Sequence, residues 1–277
     1  MRAARPWLGT LAGLLFATSA VAASHRIVST NLCTDQIVLM LANPDDIVGL
    51  SPLARNCQES VLCQQARRVP SLRSTAEAVL AARPDIVLAS TYASAGVQIG
   101  QQAGLHVVGL PPVEQIDDIP VQIMQIADAI GRPDRGRALV SAFRARLAVL
   151  ERQRPTTKSP SAIVYAAHGF VTRRGSLADD LLTRAGWRNL ADSPAYRSGL
   201  GVPLEQLIAH PPEMLVLDRD TEGESLAQAT LDNAALRAAF PPSRRLDVPS
   251  RLWLCGLPQT LDVLAMLISA RQGAGRP

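Results

Sequence analysis

Glu77 stands seven residues before Pro84-Asp85-Ile86-Val87-Leu88, and Glu205 stands seven before Pro212-Glu213-Met214-Leu215-Val216. Each segment reads as a short helix opened by a glutamate, a Pro-acid turn and a strand apolar enough to be buried on both faces. The two copies lie 128 residues apart. A helix–turn–strand unit that recurs at about half the chain length constrains the protein to an α/β architecture built twice.

The remaining segments fit that plan. In the first half, Arg26-Ile27-Val28-Ser29 and Asp46-Ile47-Val48-Gly49-Leu50 read as strands. Between them Thr34-Asp35 can cap a helix through Ile37, Val38, Met40 and Leu41. Ser74-Thr75-Ala76-Glu77 is a helix-opening signature. The strands Asp85 to Ala89 and His106 to Leu110 follow, the second stopped by Pro111-Pro112. In the second half, Ala162 to Tyr165 and Glu213 to Leu217 read as strands, and Arg251 to Leu254 as a further strand or an extended loop. Helices are expected over Ser176 to Ala185, Pro203 to Ile208 and Thr260 to Ala270.

Between the halves, Gly131 breaks one helix and Pro133 suits the first turn of the next. Leu139, Phe143, Leu147 and Leu150 fall on one stripe. The pattern predicts a single helix from Pro133 to Gln153, a rod of roughly 30 Å. The expected fold is therefore α/β, with two Rossmann-like lobes over residues 24–132 and 154–277. The helix over 133–153 joins them, and a ligand cleft lies between the lobes.

The first 23 residues have the layout of a secretory signal: Arg2 and Arg5, an apolar run from Trp7 to about Ala17, then small residues from Ala20 to Ala23. The run is shorter than the about 20 residues that span a bilayer, so an uncleaved anchor is the lesser reading and a periplasmic, monomeric protein is expected. Removing Arg2 and Arg5 takes two from a formal charge of +4. With no basic run or aromatic-interleaved patch, nucleic acid is not an expected partner.

Four cysteines then face an oxidising compartment. Cys57 and Cys63 lie in one polar loop and suit a small bridge. Cys33 and Cys255 each follow a strand, one in each half. Three readings stay open for them: buried thiols, a bridge that clamps the lobes across the ligand site, or contact with a ligand's metal.

In their order and spacing, Arg26-Ile27-Val28-Ser29, the Glu77 and Glu205 segments, and Leu147-Ala148-Val149-Leu150 in the linking helix resemble the iron-siderophore/vitamin B12 class of periplasmic binding proteins. The resemblance runs from about Arg26 to Ala270. It implies a solute-binding component of an ABC importer, not an enzyme. Such a protein captures a metal chelate, cobalamin or a ferric siderophore, and delivers it to an inner-membrane permease dimer with its ATPase. Haem, another metal complex, or a sensor or cofactor-chaperone role on the same fold are the alternatives. In that family one surface glutamate per lobe docks on the permease, and by position these resemble Glu77 and Glu205.

Ligands of open α/β sheets bind beyond the carboxyl ends of the strands. That rule selects Asn31, Cys33, Ser51, Leu53 and Tyr92 in the first half, and His168, Phe170, Arg219, Trp253 and Cys255 in the second. Tyr196 and Arg197 come from a Gly/Ser-containing loop that could face the same cleft. Tyr92, Phe170, Tyr196 and Trp253 offer flat apolar walls to a corrin, a porphyrin or a catecholate. His168 can bond a ligand or coordinate its metal, and arginines can grip carboxylates. No resident cofactor or metal is expected, because His25, His106, His168 and His210 are scattered without ligand spacing. No Gly-x-Ser-x-Gly occurs, which speaks against an exported hydrolase.

Overall fold

A computed structural model describes residues 25–92, 100–156, 159–196, 201–219, 228 and 230–273. The expected signal segment 1–23 and Arg197 lie outside the described residues.

Two four-stranded parallel sheets form the frame. The first holds β1 (Ile27–Ser29), β2 (Ile47–Gly49), β3 (Ile86–Ser90) and β4 (Val107–Leu110), in the order β2-β1-β3-β4. The second holds β5 (Ser161–Tyr165), β6 (Arg188–Asn189), β7 (Met214–Arg219) and β8 (Arg245–Pro249), in the order β6-β5-β7-β8. The orders are the same once each strand is matched to the one four later. Ile86 and Met214, the first residues of β3 and β7, are the positions paired by the 128-residue repeat. The strands β3, β5 and β7 are almost wholly buried, which is why their sequences run apolar without alternation.

Parallel neighbours need crossovers, and helices supply them. The first lobe uses α1 (Leu32–Leu41), α2 (Cys63–Ala66), α3 (Ala76–Ala81) and α4 (Asp118–Ala129). The linking helix is α5 (Pro133–Gln153), with proline in its first turn. The second lobe uses α6 (Leu177–Arg184), α7 (Leu204–Ala209), α8 (Ala234–Ala239) and α9 (Thr260–Gly273).

Three local expectations change. Asn31, not Thr34, caps α1, because its side chain accepts the Cys33 amide three positions earlier than the expected start. The strand expected over Arg251 to Leu254 is instead β8, six residues upstream. Pro249 ends β8, and Ser250–Leu252 form a 3₁₀ turn whose Ser250 carbonyl takes the Trp253 and Leu254 amides. On α5 the buried stripe is Gly136, Val140, Phe143, Leu147 and Leu150, with Val140 in place of Leu139. Its phase is set at Gly136, where a Cβ would stand 2.5 Å from the Cβ of Ala127 on α4.

One apolar cluster runs through both halves and α5. It includes Ile27, Leu32 and Ile123, then Phe143 and Leu147, then Val164, Trp187 and Leu264. Burying each such side chain stabilises by about 1.5–3 kcal/mol. Polar ties cross the same junction. Arg184 reaches Asp117 at 2.5 Å and Glu151 at 3.0 Å, and the Ile116 amide donates to Asp180 at 2.8 Å. Tyr165, Tyr196, Leu207 and Phe240 belong to a second cluster within the second lobe.

Candidate functional site

The carboxyl ends of the two sheets position the site. In the first lobe the chain leaves β1 and turns into α1. Asn31 is held there by its capping bond, 2.9 Å from the Cys33 amide; such a cap is worth about 1 kcal/mol. Ser29 and Thr34 share a 2.7 Å hydroxyl bond behind it. Asp35 is fully buried, and burial pushes its carboxyl up from 3.8 to about 7 against the lowering effect of its serine hydrogen bonds.

Ser51 follows β2 and donates both amide and hydroxyl to Asp35. Only 3 % of it is exposed. The sequence reading placed Ser51 on the cleft wall; it is instead the post that holds the next loop down. That loop is pinned again where Gln36 accepts the Val61 amide at 2.8 Å, and by a disulfide between Cys57 and Cys63. Leu53 stands out from the loop, about half exposed.

Beyond β3, the Ser90 hydroxyl accepts the Tyr92 amide at 3.2 Å, and the Tyr92 side chain points to solvent at 78 % exposure. Pro111 and Pro112 close β4. Gln122, on α4, donates 2.8 Å to the Pro111 carbonyl. Its own side-chain oxygen is buried without a partner.

In the second lobe, β5 ends at Tyr165, whose hydroxyl donates 3.0 Å to the Val202 carbonyl. Burial, then the charge of Glu205, pushes that phenol up. The chain turns through His168 (φ 59°) and Gly169 (φ 75°). A Cβ on Gly169 would come 2.5 Å from the Val202 oxygen, so glycine is required there. His168 has no such excuse; a left-handed non-glycine residue costs roughly 1–2 kcal/mol, and such outliers gather at functional sites. The His168 and Phe170 rings meet edge-on at 6.4 Å, and both residues are exposed.

Three of the expected wall residues are engaged elsewhere. Tyr196 is buried in the second-lobe core, with its hydroxyl on the His210 carbonyl. Trp253 is buried and donates 2.8 Å to Asp218, which also accepts the Ser250 hydroxyl. Arg219 is held by Asp232 at 2.8 Å and Asp247 at 3.5 Å. In each case a polar tip that sequence rules leave free finds a partner inside its own lobe.

Four of the remaining candidates, Asn31, Cys33, Tyr92 and Cys255, converge, while Leu53, His168 and Phe170 line neither of the two cavities there. Cys33 and Cys255 are joined by a disulfide. With Asn31, Thr34, Tyr92 and Leu254 they line a cavity of about 150 Å³. A neighbouring cavity of about 410 Å³ shares Tyr92, Pro111, Pro112, Val113 and Gln122 with it. Leu254, like Phe170, is more than half exposed. Leu254 lies in the strand-end segment Trp253-Leu254-Cys255-Gly256 that the sequence offers, whereas sequence reasoning missed Pro111-Pro112 and Gln122. The prolines were readable by the strand-end rule. Gln122 was readable too, as a glutamine on the stripe of Ile119, Ile123 and Ile126.

Glu77 and Glu205 are both exposed and stand in the first turns of α3 and α7. The Ser74 hydroxyl bonds the Thr30 carbonyl beyond β1, and Val202, just before α7, bonds Tyr165 at the end of β5. Both glutamates therefore sit at the strand-end pole of their lobe. Among the described residues no three His, Cys, Asp or Glu side chains converge as a metal site, and no helix is long and apolar enough to cross a membrane.

A family model described as periplasmic binding protein matches residues 27–238. No curated protein matches the chain. Among solved structures, a periplasmic heme binding protein from Pseudomonas aeruginosa is 26% identical with a TM-score of 0.67, covering 89% of this chain and 92% of that one. The periplasmic vitamin B12 binding protein BtuF of Vibrio cholerae is 17% identical with a TM-score of 0.71, covering 91% of this chain and 98% of that one. A possible iron-binding periplasmic solute-binding protein from Staphylococcus epidermidis is 18% identical with a TM-score of 0.66, covering 91% and 99%.

Proposed function

The chain belongs to the periplasmic binding protein family, a family of binding proteins and not of enzymes, and we propose that it is the solute-binding component of an ABC importer. In this reading it takes up a haem, a corrinoid or a ferric siderophore in the cleft and hands it to a membrane permease and its ATPase. The observation that carries the reading is the pair of exposed aromatic faces, Tyr92 and Phe170, one beyond a strand end of each lobe. Flat apolar walls of this kind recognise a planar, chelate-sized ligand, and the similar structures named for heme, vitamin B12 and iron support it.

His168 favours haem within that set. It is an exposed imidazole on a backbone held in the left-handed region, and neutral imidazole is a good ligand for iron. Tyr92 offers a phenol from the opposite lobe. Glu77 and Glu205, one per lobe and alike in placement, are the proposed contacts with a two-fold permease.

The test is a titration of the purified protein with haemin, cyanocobalamin and a ferric siderophore, followed by visible absorption and tryptophan fluorescence. Saturable binding below about 1 μM, roughly −8 kcal/mol, is expected for one of the three. Silence with all three overturns the chelate reading.

A further inference from the structure

We propose that the Cys33–Cys255 bridge fixes the separation of the two lobes, so that cargo enters a cleft of preset width instead of being closed upon. The proposal rests on the cleft being the binding site, as argued above, but its first test needs no ligand.

The bridge joins the second residue of α1, just beyond β1, to the loop that follows β8. It therefore ties the strand-end pole of one lobe to that of the other, across 222 residues of sequence. Both ends are anchored in their own lobes. The Cys33 amide is held by Asn31 at 2.9 Å. The Cys255 carbonyl accepts the Thr260 hydroxyl at 3.1 Å, and that hydroxyl oxygen accepts the Leu257 amide at 3.1 Å. A displacement at either sulfur is thus passed to α1 or to α9, not absorbed by a slack loop.

The lobes also touch beside the bridge. A Cβ on Gly256 would lie 2.4 Å from a methyl of Val113 in the first lobe, so the Gly256 backbone packs against the Val113 side chain with no room for one further carbon. The bridge lines the smaller cavity together with Tyr92 and Leu254, which makes it part of the floor on which a ligand would rest.

The linking helix α5 is one covalent tie between the lobes. The shared apolar core and the Arg184 and Ile116 ties also hold the lobes together, but these are non-covalent and can yield when the lobes rock about α5. A second tie at the cleft floor removes the rotations that would part Cys33 from Cys255, and those are the rotations that widen the cleft. Ligand exchange is then left to side chains and loops at the rim. This assigns the cysteine pair a role in specificity: the bridge sets the thickness of ligand that fits between Tyr92 and Leu254.

The experiment compares the wild type with Cys33→Ser/Cys255→Ser and with Cys57→Ser/Cys63→Ser as a control. Spin labels are carried by unnatural amino acids at the exposed positions Asp128 on α4 and Arg188 on β6, one per lobe, and their distance distribution is measured by pulsed electron resonance without ligand. A single narrow distribution is expected for the wild type and the control, and a broader or longer one for Cys33→Ser/Cys255→Ser. The same narrow distribution in all three overturns the proposal. Should the Cys33→Ser/Cys255→Ser protein fail to fold, the folded Cys57→Ser/Cys63→Ser protein, which keeps the Cys33–Cys255 bridge alone, is measured before and after reduction with dithiothreitol, with the same two outcomes. In a second arm, the ratio of haemin to cyanocobalamin affinity is expected to change at least tenfold when the bridge is removed, and an unchanged ratio also overturns the proposal. Failure of both probes to bind the wild type counts against the transport reading alone, because the distance measurement still decides the role of the bridge.

Discussion

One oxygen of Asp35 accepts both the amide of Ser51, at 3.2 Å, and its hydroxyl, at 2.5 Å, while the other oxygen is buried without a partner. The loop that carries Leu53 is therefore held to α1 by a carboxyl group whose charged form is poorly compensated.

This gives a pH dependence with a defined sign. The carboxyl titrates at about 7 in the folded protein, against 3.8 when unperturbed. Between those values the folded state binds the extra proton, so the contribution of Asp35 to stability is fully present below pH 3.8 and is lost as pH rises toward 7. Asp35→Asn keeps an acceptor for Ser51 and carries no charge. Its stability relative to wild type is expected to rise from about pH 4 to about pH 7 and then level off, read from urea midpoints. A difference that is flat with pH would show that Asp35 titrates normally.

The cleft and core aromatics should separate cleanly. Tyr92→Ala and Phe170→Ala are each expected to weaken binding of the cargo identified by titration about tenfold, or roughly 1.4 kcal/mol, with little change in melting temperature. Tyr196→Phe is expected to do the reverse. It loses the hydroxyl bond to the His210 carbonyl, costs about 1 kcal/mol of stability and leaves affinity unchanged. Equal binding losses for Tyr92→Ala and Tyr196→Phe would refute the placement.

Docking has its own signature. Glu77→Arg combined with Glu205→Arg is expected to abolish stimulation of the reconstituted transporter's ATPase while leaving cargo affinity within twofold of wild type. Each exposed pair is worth only about 0–1 kcal/mol, so either single variant should retain measurable transport. Normal stimulation by the double variant would remove these residues from the interface.

The His168 turn makes a fourth prediction. Gly169→Ala must bear a positive φ and a methyl 2.5 Å from the Val202 oxygen. A destabilisation of about 2–3 kcal/mol is expected, seen as a lower melting temperature, together with weaker cargo binding as His168 and Phe170 shift. Binding at wild-type strength in the folded variant would separate this turn from the site.

The architecture was legible because it rests on periodicity. Pro133 and Gln153 bound the linking helix because a proline-opened amphipathic stretch admits few other forms, and the Glu77 and Glu205 segments share a place because the same local pattern folds the same way twice. The site was less legible. Tyr196, Trp253 and Arg219 carry the side-chain types of a binding wall, but their partners, His210, Asp218, and the pair Asp232 and Asp247, are brought to them by tertiary contacts between 13 and 35 residues distant. No strand-end rule contains that information. The pairing of Cys33 with Cys255 was likewise one of three open readings, since spacing of 222 residues carries no geometric constraint of its own.

The helix α9 also bears on the order in which this molecule can be completed. Trp187 donates 2.9 Å to the Leu267 carbonyl, Arg146 of α5 pairs with Asp262, and Leu261, Leu264 and Leu267 fill the cluster shared by both lobes. A chain made from its N-terminus outward holds that cluster open until its last described helix has emerged. Completion of the core that both lobes share is thereby postponed until the last described helix is made.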